Sequence, residues 1–171
     1  GAMNEDKIKA AIIEALHGDF VLQPEQKGTH PLLQDKVRID FLAYPRPHLV
    51  EAGFDAEWFG IEAKDIGEDV TKLNRVLCQA VTYAQSRFSV GLQTIIPQFV
   101  MVCVGQDPDH LQGRLPAAWP ILFSSVQYLN VGYLELSPWK LSFGAGRYYS
   151  QQRGKSAVQN IGRIRYVGTI S

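Results

Sequence analysis

Two carboxylates and a lysine stand in this sequence in a pattern suited to hydrolysis. Asp40 lies in Val37-Arg38-Ile39-Asp40-Phe41-Leu42, and Glu62 and Lys64 lie in Phe59-Gly60-Ile61-Glu62-Ala63-Lys64-Asp65. Each segment sets charged residues among apolar ones, so the three groups are expected to converge at one edge of a sheet. A phosphodiester resists hydroxide because both are negative. Mg²⁺ or Mn²⁺ overcomes this by neutralising the phosphate, lowering the pKa of a bound water and stabilising the leaving oxygen. Such hard cations take oxygen ligands and keep several waters. Asp40, Glu62 and the Ala63 carbonyl are a sufficient protein contribution. Lys64, two residues beyond Glu62 on the same strand face, can orient the attacking water or neutralise charge on the phosphate. The plain alternative is a strand with charges on its wet face, because a bare Glu-x-Lys is common by chance.

The elements that must position these groups can be read from periodicity. Asn4 to Leu16 has Ile8, Ala11, Ile12, Ala15 and Leu16 on one helical face, with Asn4 as N-cap and Gly18 as stop. Phe20 to Gln26 reads as a strand, and Lys27-Gly28-Thr29-His30-Pro31 as a loop. Val37 to Tyr44 is a second strand, closed by Pro45 and Pro47. Residues 45–57 read as a longer loop, Trp58 to Ala63 as a third strand, and Asp65 to Asp69 as a turn. Thr71 to Phe88 is the clearest helix, with an apolar stripe of Leu73, Val76, Leu77, Ala80, Ala84 and Phe88. Phe99 to Val104 is a continuous apolar run, which predicts a central strand covered on both sides. Residues 105–120 read as mostly loop, and Ile121 to Leu129 as strand or short helix. Val131 to Leu136 and Trp139 to Tyr149 read as a strand pair across Ser137-Pro138, with Arg163 to Val167 as one more strand. Helix, three strands, helix, strand is an α/β order with a mixed sheet.

That order, with Asp40 followed by Glu62-Ala63-Lys64 and then a helix, resembles the PD-(D/E)XK nuclease superfamily. Asp65 after the lysine fits the frequent "ExKD" form. Gln79-Ala80-Val81-Thr82-Tyr83 matches the Gln-x-x-x-Tyr helix of the RecB-like, phage-exonuclease-like and Cas4-like branches. The resemblance covers about residues 5–104 and leaves out the C-terminal third. Asp40 lacks the preceding proline common in the superfamily. The resemblance implies a restriction-endonuclease-like core with extra C-terminal β-strands, in which Asp40 and Glu62 bind the metal and Lys64 assists the water.

Helical angles test the remaining candidates. At about 100° per residue, Lys72, Gln79 and Tyr83 lie within roughly 40° of one another, beside the apolar stripe. Gln79 and Tyr83 can then bind a phosphate, or simply pack at the boundary. The first helix of the superfamily often donates a further acid. Glu14 points nearly opposite the apolar face, whereas Glu5 lies about 45–60° from its centre, so Glu5 is chosen. Its alternative role is to complement the helix dipole, and Glu25 is a third possibility. The four histidines (His17, His30, His48 and His110) fall in loops or at helix ends and are expected at the surface. The loop before His30 is able to touch a phosphate.

Bulk properties set the limits. At 171 residues the chain fits one domain with a real core. Gly1-Ala2-Met3 resembles a tag-cleavage scar. No apolar run spans a membrane and no secretory leader is visible, so a cytoplasmic protein is the default. Cys103 reads as a core thiol, and no zinc-site spacing is present. No Gly-rich P-loop and no nucleophile elbow is present. Net charge is zero but divided: residues 1–70 hold 14 acids and 7 bases (−7), and residues 71–171 hold 3 acids and 10 bases (+7). The C-terminal third interleaves bases with aromatics, so Arg147, Arg153 and Lys155 are candidate DNA contacts. A β-hairpin with a solvated basic edge is the competing account.

The sequence therefore predicts a Mg²⁺- or Mn²⁺-dependent deoxyribonuclease, with endonucleolytic cutting preferred. A homodimer would suit paired cuts across two strands. The alternatives are an inactive DNA- or protein-binding module on the same fold, or a small-molecule enzyme or structural protein in which the motif is coincidence.

Overall fold

The amphipathic N-terminal segment forms helix α1 (Ala2–Leu16), which buries Ile12 and Leu16. The helix begins before Asn4, so Asn4 lies inside it and not at its cap. Its packed stripe is narrower than expected, because Ala11 is exposed. This computed structural model describes residues 2–67, 69–104, 122, 124–136, 138–143, 147–152 and 155–157. Strand β1 (Phe20–Thr29) follows, then β2 (Lys36–Pro45), a short helix α2 (Pro47–Glu51) and β3 (Phe59–Ala63). Helix α3 (Val70–Ala84) is capped by Asp69, whose side chain accepts from the Thr71 and Lys72 amides. Next come β4 (Arg87–Val90), β5 (Gln93–Ile95), β6 (Val100–Cys103), β7 (Val131–Glu135), β8 (Lys140–Phe143), β9 (Arg147–Gln152) and β10 (Lys155–Ala157).

These strands form one mixed, 10-stranded sheet in the order β10-β9-β8-β7-β6-β3-β2-β1-β4-β5. β1, β2 and β3 make an antiparallel meander. β6 lies parallel between β3 and β7 and is buried throughout, as its unbroken apolar run requires. Alternate residues feed two cores. Phe41, Phe59, Ile61, Phe99 and Met101 pack with α1, while Leu42, Val100 and Val102 pack with Leu73, Val76, Leu77 and Ala80 of α3. The first core is closed from the C-terminal side. Trp139, fully buried, meets Phe20 at 5.2 Å between ring centroids, and Phe143 meets Phe99 at 4.8 Å. Among the described residues no helix is long and apolar enough to cross a membrane.

Several boundaries differ from expectation. Lys27–Thr29 is strand and not loop, because it pairs with both β2 and β4. A Cβ on Gly28 would collide with the Arg87 carbonyl oxygen, so glycine is what lets β4 approach. Residues 45–57 contain α2, started by Pro47 at its first turn. α3 stops at Ala84, and Phe88 fills the same core from β4, in a hairpin turned by Gly91 at φ 59°. Leu122 and residues 124–126 are helical. The expected single strand from Trp139 to Tyr149 is two strands, β8 and β9. Residues 105–120 and the strand expected at Arg163 to Val167 lie outside the described residues.

Candidate active site

The β2–β3 ladder pairs Ala43 with Phe59, Leu42 with Gly60 and Phe41 with Ile61, and there it ends. One more step would set Asp40 opposite Glu62. Instead, side chains satisfy the backbone donors. The Asp40 N–H donates to Glu62 Oε1 at 3.2 Å, and the Ala63 N–H donates to Asp40 Oδ2 at 2.8 Å. On the other flank, Pro24 pairs with Phe41 and Gln26 with Ile39, while Glu25 between them has φ 54°. Such a conformation costs a non-glycine residue on the order of 1 kcal/mol. Regular pairing is thus interrupted on both sides of Asp40. Ile39 responds by packing with Leu42 in the α3-side core, using space that a Cβ on Gly60 would occupy.

Burial gives this pair its electrostatics. Glu62 is 8 % exposed. Loss of water raises its pKa to about 9, and the Asp40 carboxylate beside it adds to the rise. Glu62 therefore keeps a proton at neutral pH in the metal-free protein. Tyr83 reaches the same point from α3. Burial, then the nearby Glu62 and Asp40 carboxyls, push its pKa up. The phenol stays neutral and remains a donor.

α1 supplies a second set of charges. Glu5 Oε1 lies 3.1 Å from Lys64 Nζ. Lys9, one turn further on the same helix face, lies 3.2 Å from Asp40 Oδ1 and 3.4 Å from Glu25 Oε1. Burial pulls the Lys9 pKa down, but Asp40 and Glu25 outweigh it and the net shift is upward. Arg38 Nε pairs with Glu25 Oε2 at 3.1 Å. The result is one connected cluster running from Arg38 through Glu25 and Lys9 to Asp40, Glu62 and Tyr83, with the Lys64–Glu5 pair held by the same helix and strand.

The structure thus gathers Asp40, Glu62, Tyr83, Lys9 and Glu25, and pairs Lys64 with Glu5. Lys9 was not anticipated, although the helical wheel that selects Glu5 carries Lys9 four residues later. Glu5 comes to the cluster through Lys64 and not through the carboxyl pair. Gln79 is half-buried one turn before Tyr83, and Lys72 is exposed in the first turn of α3. Arg147 and Lys155 belong to β9 and β10, with β6, β7 and β8 between β9 and β3. At about 4.8 Å per strand this sets β9 roughly 19 Å from the carboxyl pair. Their side chains, and Arg153 altogether, lie outside the described residues. His30, expected at the surface, is 4 % exposed. Its Nδ1 accepts from the Leu32 and Leu33 amides and its Nε2 meets Gln85 Oε1 at 2.9 Å, so it organises its own turn.

Among the described residues no group of three or more His, Cys, Asp or Glu side chains converges as a metal centre. The donor chemistry of a smaller set does fit a hard cation. Asp40 and Glu62 bring two carboxyl groups together. The Lys64 N–H donates to Cys103 on β6, so in a trans peptide the Ala63 carbonyl points the other way, towards β2 and Asp40. In comparisons with known proteins, the chain matches no family model, no curated protein and no solved structure.

Proposed function

We propose that this protein is a metal-dependent nuclease that hydrolyses DNA phosphodiester bonds on a restriction-endonuclease-like core. The observation that carries the reading is that the Asp40 and Glu62 carboxyls each accept a backbone N–H of the other strand where the β2–β3 ladder ends. The element order supports it, because α1, β1, β2, β3, α3 and β6 follow the sequence order on which the PD-(D/E)XK resemblance rests.

In this reading Asp40, Glu62 and the Ala63 carbonyl hold Mg²⁺ or Mn²⁺, which supplies charge neutralisation at the phosphate and a bound water of lowered pKa. Glu62 must give up its proton before it can serve as a ligand. Lys64 orients the water or offsets charge on the phosphate, and Glu5 fixes where its ammonium sits. Tyr83, kept neutral, and Gln79 one turn earlier donate to phosphate oxygens. The deciding experiment is cleavage of labelled linear, circular, flap and junction DNA with Mg²⁺ or Mn²⁺, beside Lys64→Ala. The reading expects cutting that falls by about 10²-fold or more in the variant. Equal rates would end it.

One observation favours a second reading, a binding module that cuts nothing. Lys9 already neutralises Asp40, and Glu5 already neutralises Lys64. A protein that bound DNA yet cleaved no substrate with Mn²⁺ would belong to this class.

A further inference from the structure

Where β1, β2 and β4 come together, a groove of about 560 Å³ opens, lined by Lys27, Thr29, Lys36, Arg38 and Ser89 among others. Across β1–β2, Lys27 faces Arg38 and Thr29 faces Lys36, while Thr29 faces Arg87 across β1–β4. Cross-strand partners and residues two apart share a face. Register therefore collects four exposed cations, Lys27, Lys36, Arg38 and Arg87, on one patch of sheet.

Like charges set directly opposite each other weaken a sheet, and Lys27 opposite Arg38 is such a pair. Glu25 offsets Arg38. Among the described residues Lys27, Lys36 and Arg87 meet no acid. The patch thus carries uncompensated positive charge, and three of its four cations, Lys27, Lys36 and Arg38, come from the half of the chain that is acidic overall. It also borders the carboxyl cluster. Arg38 is two residues from Asp40 on β2, and the Glu25 that holds Arg38 also holds Lys9, which holds Asp40. Among the described residues the lining contains no aromatic ring, so bases have nothing there to stack on.

We propose that this groove is the track for the nucleic-acid backbone, with Lys27, Lys36 and Arg38 taking successive phosphates of one strand and the Thr29 and Ser89 hydroxyls adding hydrogen bonds. The proposal rests on the nuclease reading in so far as the track leads a strand to Asp40 and Glu62. Contacts of this kind position a nucleic acid without reading its sequence. Binding along the track is therefore sequence-tolerant and steeply salt-dependent.

The test is binding of a labelled DNA oligonucleotide in EDTA, over a range of salt, for the intact protein and for Lys27→Ala/Lys36→Ala. Both side chains are exposed, and a matching melting temperature verifies the fold. The double variant is expected to bind about tenfold or more weakly near 0.1 M salt, with a log–log salt slope shallower by about two. Unchanged affinity and slope would overturn the track, as would an equal loss in Arg75→Ala, on the exposed side of α3. Poly-glutamate captured with the same dependence on the two lysines would overturn nucleic acid as the occupant. Cleavage with Mn²⁺ is scored separately. A protein that cuts nothing but needs Lys27 and Lys36 to bind supports the track and sinks the nuclease. One that cuts, with binding indifferent to both lysines, does the reverse.

Discussion

The Asp40 amide donates to the Glu62 carboxyl at 3.2 Å, taking a side-chain acceptor just where β2 and β3 stop exchanging backbone hydrogen bonds. Buried backbone donors need partners, and here the partner is a group with chemistry of its own. Structure and reactivity are therefore tied at one atom: whatever changes the charge on Glu62 also changes how the end of the ladder is held.

The first consequence is a pH dependence of stability. The folded pKa of Glu62 is about 9, against 4.5 for the free side chain. Between those values the folded state binds a proton that the unfolded chain releases. Stability in the metal-free protein therefore falls as pH rises from about 4.5, and this loss is complete above about 9. Glu62→Gln keeps an acceptor for the Asp40 amide but cannot ionise. Its melting temperature should exceed that of the unmodified protein near pH 8, and the two should converge near pH 4. Parallel melting-temperature profiles across that range would contradict the buried, protonated carboxyl.

Lys9 holds Asp40 at 3.2 Å and so competes for the charge that a cation would use. Both side chains keep some contact with water, so screening limits the effect to about 1 kcal/mol. Lys9→Ala should tighten Mn²⁺ binding in the absence of DNA by about fivefold, as read by titration with electron paramagnetic resonance. An unchanged dissociation constant would show that the ammonium does not compete.

Gly28→Ala should loosen one edge of the sheet. The added methyl meets the Arg87 carbonyl oxygen, which is backbone and cannot swing aside. β1 and β4 pair at only two positions, Gly28–Phe88 and Thr29–Arg87. A cost of about 1–3 kcal/mol is expected, with faster amide hydrogen exchange in β4 and β5 than elsewhere. Exchange that quickens equally throughout the molecule would point to a global effect instead.

Asp19 offers a comparison between two partners of one carboxylate. Trp139 Nε1 donates to Oδ2 at 2.8 Å from a fully buried ring, while His48 Nε2 lies 2.7 Å from Oδ1 at the surface. Trp139→Phe keeps most of the packing but removes a buried hydrogen bond to a carboxylate, and should cost about 1–3 kcal/mol in urea denaturation. His48→Ala should cost less, about 0.5–1 kcal/mol, because water can replace the ring. The reverse ranking would place the weight on the surface contact.

Much of this was legible in the sequence. β2, β3, α3 and β6 follow from apolar alternation or helical stripes, and Asp40, Glu62 and Tyr83 meet as their residue types and spacing suggested. The misses have identifiable causes. Phe88 falls four residues after Ala84, so a helical period runs smoothly into a residue that in fact belongs to a strand. Gly28 looks like a loop residue, but it serves close strand approach. Lys9 shares the helix face of Glu5, but a cation is not a metal ligand, so its residue type did not point to the site. Of the basic groove only the Lys27-Gly28-Thr29 segment stood out as able to touch a phosphate, because Lys36 and Arg38 are scattered among acids along the chain. Only strand register brings them side by side.

The aromatic closure under α1 bears on what can be moved from one protein to another. Asp40, Glu62, Lys64, Tyr83 and the basic groove all lie before Val104, so that segment reads like a transferable cassette. It is not one. Its Phe20 and Phe99 rings are covered by Trp139 and Phe143 from beyond it, and a fragment ending at Val104 would bare them to water and to other copies of itself. A unit that is grafted, swapped or shuffled with its site intact must therefore reach at least through β8.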